Sequence, residues 1–75
     1  MTNMQRFLEQ LQAIPNPSHA LRAYIGGVES RVRINAEDIT APDWEARAQN
    51  LDTINLQRWF ALSEGERTAA RTAAI

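Results

Sequence analysis

The sequence predicts an all-α fold, a compact bundle of four or five short helices, on three observations. Apolar residues recur at three- and four-residue spacing through most of the chain, the period that gathers them on one helix face. Ser/Thr-x-x-Glu/Gln boxes and prolines divide the chain into helix-length pieces. Cysteine is absent and histidine occurs once, so neither a disulfide framework nor a thiolate metal site is expected.

Thr2-Asn3-Met4-Gln5 has the form of a capping box and opens the first helix. Met4, Phe7, Leu8, Leu11 and Ile14 form its apolar stripe, and Pro15-Asn16-Pro17 ends it, since each proline disfavours helical geometry in the residue before it. Ser18 is the next N-cap. From it the stripe Leu21, Tyr24, Ile25, Val28, Val32, Ala36, Ile39 predicts the longest helix. The alternative is an α+β chain with one strand over 28–34 pairing in a dimer, because Val28, Ser30, Val32 and Ile34 alternate with charged residues. The helix is favoured because no second stretch reads as a strand, and a lone strand leaves its backbone groups unpaired.

Thr40-Ala41-Pro42-Asp43 marks another helix start, with Pro42 in the first turn, where a missing N–H costs nothing, and Asp43 near the positive helix end. Trp44, Ala48 and Leu51 give its inner face. A break near Asp52-Thr53 is expected to lead into a fourth segment, with Leu56, Trp59, Phe60 and Leu62 apolar. Ser63-Glu64-Gly65-Glu66 is a second capping box. The Arg/Thr/Ala-rich tail after it has one large apolar residue, Ile75, and is expected to fray from about residue 68. The expected core is Phe7, Leu8, Leu11, Leu21, Ile25, Val28, Val32, Trp44, Leu56 and Trp59.

A chain of 75 residues reads as one domain spanning 1–75, since it can bury only about 60% of its unfolded surface. A lone core of this size seldom contributes more than about 3–5 kcal/mol, so idealised helix packing or a partner chain is needed. No apolar run long enough to span a membrane and no targeting signal is visible, which points to the cytoplasm. All eight basic residues are Arg and Ala occurs twelve times, a bias of GC-rich coding that suggests a bacterial or bacteriophage source. Net charge is -1, whereas proteins that grip phosphate carry an excess of cations. The charge is uneven: Arg6, Arg22, Arg31 and Arg33 dominate the first half, and Glu37, Asp38, Asp43, Glu45 and Asp52 the middle.

Candidate chemistry is sparse. His19 adjoins Ser18, but neighbours on a helix do not face each other, so Ser18 reads as a cap rather than a nucleophile. Glu37-Asp38 and Asp43/Glu45 are carboxylate pairs in sequence only and read as a solvated loop and a helix N-terminus. Gly26-Gly27 lacks the preceding strand and following Lys of a phosphate cradle. It reads as a C-cap or a close approach of another backbone. On the long helix, Arg22, Gly26, Glu29 and Arg33 share one outer stripe, the candidate protein-binding face. The segment from Pro42 to Leu62 is the nucleic-acid candidate: two short helices could form a helix-turn-helix offering Asn55, Gln57 and Arg58 to a groove. Its acidic approach and the polar Glu45 and Gln49 at usually apolar positions weigh against it. Trp59 and Phe60 point about 100° apart on a helix; both are expected in the core, the alternative leaving one for a partner.

These readings converge on a small non-enzymatic regulator or adaptor docking on a larger protein assembly. If phage-encoded, it would act in the host cytoplasm and inhibit or redirect host machinery such as transcription or defence complexes. No cofactor, metal or membrane is expected, and a homodimer is compatible. A dimeric helix-turn-helix DNA-binding regulator is the alternative.

Overall fold

The computed structural model describes residues 3–37 and 42–73, the side chains of 35–37 excepted. It is all-α: α1 (Asn3–Gln12), α2 (His19–Glu37), α3 (Trp44–Phe60) and α4 (Glu64–Ala73). Residues 28–34 are helical, so the strand alternative falls. Thr2 of the first capping box lies outside the described residues. α1 stops at Gln12, ahead of the prolines. Ala13 N–H bonds the carbonyls of Glu9 and Gln10 at 3.2 Å, and Ile14 N–H bonds Leu11 O at 3.2 Å. Asn16 then takes φ 50°, a left-handed conformation that Asn tolerates better than most residues.

Ser18 caps α2 as the sequence predicts: its Oγ accepts the Leu21 N–H at 3.1 Å, and its carbonyl accepts the Arg22 N–H at 3.0 Å. The helix runs to Glu37; Ile39 lies outside the described residues. α3 starts one residue after Asp43, so Pro42 precedes the cap instead of occupying the first turn. The Asp43 side chain makes no cap hydrogen bond; its Oδ2 accepts one from Arg47 Nε at 2.8 Å.

The expected break at Asp52-Thr53 does not occur, and α3 is one helix of 17 residues. Both residues are weak helix formers, yet each finds a partner that suits a helix. The Thr53 hydroxyl donates to Gln49 O at 3.2 Å, the back-bond open to Thr inside a helix, and Asp52 pairs with Arg31 of α2. Trp44, Ala48, Leu51, Asn55 and Trp59, all half-buried, therefore form one stripe along α3.

α2 packs on α3 and α1, and α1 on α4. Leu11, Val28 and Ala70 are the buried centre, with Phe7, Leu8, Ile25, Val32 and Trp59 partly buried around them. Leu21 and Leu62 are buried as well. One expected core position is corrected. Leu56 is 58% exposed, because it lies about 100° round the helix from Asn55, which holds the inner stripe. The tail expected to fray from about 68 is helical to Ala73 and contributes Ala70 to the core.

Candidate docking surfaces

α2 presents two faces to different neighbours. Leu21 and Val28 are buried while Arg22, Gly26, Glu29 and Arg33 are all exposed, so the four candidate protein-binding residues do share one outer stripe. Arg33 donates to Glu29 Oε1 at 3.2 Å, the i,i+4 pair expected from spacing. Arg22 makes no ion pair among the described residues. A Cβ added at Gly26 would meet nothing within 4 Å, which leaves bare backbone between the two arginines. Its carbonyl also accepts the Ser30 hydroxyl at 3.0 Å.

Gly27, one residue on, does the opposite job. It is buried, and an added Cβ would collide with Asn55 Oδ1 and lie 2.8 Å from the Arg58 guanidinium. The missing side chain lets α3 approach α2 at this point. Asn55 and Arg58, read from sequence as groove-facing, are thus half-buried at the α2–α3 crossing, and of the nucleic-acid candidates Gln57 alone is exposed. Asn55 Oδ1 is buried without a hydrogen-bond partner among the described residues.

An apolar groove between the helices is not visible in the sequence. A groove with a free volume of about 430 Å³ opens between Phe7, Tyr24, Leu56, Trp59 and Ala70, with Asp52 and Arg71 on its rim. Tyr24 and Trp59 meet with ring centroids 5.5 Å apart at 54°, a tilted pairing favoured by the ring quadrupoles. The Arg71 guanidinium sits 5.6 Å from the Trp59 centroid, within cation–π range. Burial pushes the Tyr24 hydroxyl above its ordinary pKa, because the phenolate would lose hydration. Beside the groove, Phe60 is 66% exposed, one turn on from Leu56. Of the adjacent aromatics, Trp59 is turned inward and Phe60 left out. The visible signal was the i,i+4 spacing of Leu56 and Phe60 off the Leu51-Asn55-Trp59 stripe.

Ser18 and His19 do not form a catalytic constellation: His19 is exposed, and the Ser18 hydroxyl is spent on Leu21 N–H and Glu66. Asp43 pairs with Arg47, while the side chains of Glu37 and Asp38 lie outside the described residues. Among the described residues no group of three or more His, Cys, Asp or Glu is placed to hold a metal ion, and no helix is long and apolar enough to cross a membrane. No protein-family model matches the chain, and no match is found among the curated proteins or the solved structures compared with it.

Proposed function

We propose that this chain is a non-enzymatic protein-binding module that docks on a larger protein or assembly through the outer face of α2. The observation that carries the reading is the exposed alignment of Arg22, Gly26, Glu29 and Arg33, with open space over Gly26. Two arginines against one glutamate give the face a net positive charge, so the partner surface is acidic. The planar guanidinium can pair with carboxylates in a fork and stack on aromatic rings, and bare glycine backbone admits close approach. Arginine is also among the residues enriched where binding energy concentrates. The small size and the arginine and alanine bias suit a regulator, phage-encoded or bacterial, that inhibits or redirects host machinery such as transcription or defence complexes.

A helix-turn-helix regulator draws no support from 42–62, where one helix replaces the required helix pair and Asn55 is turned against Gly27. The test is capture from bacterial lysate with immobilised wild-type protein and with the Arg22→Glu/Arg33→Glu double variant. The reading expects a protein recovered by wild type and lost with the variant. Equal recovery by both would remove this face from consideration.

A further inference from the structure

We propose that α4 is a detachable cover: it opens from the other three helices as one unit, turning at Ser63, and the contact between Glu66 and Ser18 is the latch that keeps it closed.

The residues of α4 make it easy to lift. Between Glu64 and Ala73 no apolar residue is larger than alanine, and Ala70 is the one buried position of the ten. Burial stabilises in proportion to the apolar area removed from water, so an alanine face gives up little on leaving. The large side chains belong to the body beneath: Ala70 rests on the cluster of Leu11 and Val28, with Phe7, Leu8 and Trp59 around it. Among the described residues no ion pair joins α4 to another helix, since Arg67 pairs with Glu64 inside α4. The Thr68 and Thr72 hydroxyls are likewise spent on carbonyls of their own helix. Elements with few buried apolar contacts are those that open locally while the rest of a protein stays folded.

A hinge and a latch bound this unit. Leu62 is buried and its N–H bonds Trp59 O at 3.1 Å, which holds the chain to the body up to that residue and leaves Ser63 to turn. The latch lies one turn further on. Glu66 accepts the Ser18 N–H at 3.2 Å and the Ser18 hydroxyl at 2.8 Å, bonds to α2's first turn that exist in the closed state alone. Opening carries away Ala70 and Arg71, which form one wall of the groove, and uncovers the side of the Leu11 and Val28 cluster that Ala70 covers. The outer face of α2 is untouched, so the cover stands or falls apart from the docking role proposed above.

Amide hydrogen exchange of the full chain, followed by NMR over a series of sub-denaturing urea concentrations, tests this with wild type, Ser18→Ala and Glu66→Ala. In wild type the amides from Thr68 to Thr72 are expected to share one level of protection. That level should lie at least about tenfold below the protection of Ile25 to Ser30 in mid-α2 and depend less on urea, because a local opening exposes less surface than global unfolding. Ser18→Ala lies outside α4 and leaves its helix propensity unchanged. It should nevertheless speed exchange of all the α4 amides together, by about fivefold or more, through loss of a hydrogen bond to a carboxylate. Glu66→Ala removes the same contact from the other side and should do so as well. Equal protection and equal urea dependence in α4 and α2 would overturn the proposal by making the bundle one cooperative unit. Protection that declines residue by residue toward the chain end, or α4 rates that neither variant changes, would overturn it by reducing the motion to end fraying.

Discussion

Glu66 completes the N-terminal cap of α2 from another helix. Its carboxylate accepts the Ser18 backbone N–H at 3.2 Å and the Ser18 hydroxyl at 2.8 Å, bonds that bridge 48 positions in the chain. In a capping box the glutamate three residues beyond the N-cap takes the cap's backbone N–H. Here that position holds Leu21, buried in the core, and α4 supplies the carboxylate instead. Ser63 keeps its own half of the second box by accepting the Glu66 N–H at 3.2 Å. One carboxylate thus ties the starts of α2 and α4 together.

This tie makes stability depend on pH in a defined direction. The Ser18 hydroxyl, and then the Ser18 and Ser63 groups that also donate to it, hold the Glu66 carboxyl below the usual range, because hydrogen bonds to the charged form favour it. A carboxyl with a lowered folded-state pKa adds stability above its unfolded value and loses it as pH falls through the folded one. Thermal melting across the acid range should therefore show a lower melting temperature for Glu66→Gln than for wild type at neutral pH, with the two converging on acidification. A constant gap across that range would show that the ionised form contributes nothing special.

The adjacent glycines should respond in opposite directions. Gly26→Ala meets open space on an exposed helix position and is expected to raise stability by about 0.5–1 kcal/mol. Gly27→Ala drives a methyl into Asn55 and should lower it by about 1–3 kcal/mol. Urea denaturation of both, and of Gly27→Ala combined with Asn55→Ala, checks this. The combination should recover part of the loss, since the clashing side chain is gone.

Removing residues 68–75 should cost about 2 kcal/mol or more, by the area that Ala70 and its neighbours cover. Ala70 is buried against the Leu11 and Val28 cluster, and Arg71 lies over Trp59. A truncated chain that melts as wild type would mean that these last turns are dispensable.

Leu11→Ala should be among the most damaging single changes, at about 2–5 kcal/mol, because its side chain is fully buried. Leu56→Ala, at an exposed position, should change the unfolding free energy by about 0.5 kcal/mol or less. Urea melts of the two variants separate them.

Much of this architecture is legible in the residues. Ser18 reads as a cap from its place ahead of a helical stripe, and the α2 stripe predicts both the buried Leu21 and Val28 and the exposed Arg22 to Arg33 face. What local pattern cannot supply is compensation from a distance. Asp52 and Thr53 look like a helix end until Arg31 and the Gln49 carbonyl are placed beside them. Asn55 looks solvent-directed until Gly27 is seen opposite it, and the Ala-rich tail looks idle until Ala70 is seen buried with Leu11 and Val28. The apolar groove is hidden for the same reason, since Phe7, Tyr24, Trp59 and Ala70 come from all four helices.

The most direct test of the docking account is the affinity of wild type and of Arg22→Glu/Arg33→Glu for the captured partner, with random duplex DNA titrated in parallel over a salt series. Both arginines are exposed, so the variant should unfold within about 0.5 kcal/mol of wild type. The account predicts a loss of partner affinity of at least about tenfold and feeble DNA binding at physiological salt. Unchanged partner affinity, or submicromolar DNA binding that falls steeply with salt, would contradict it.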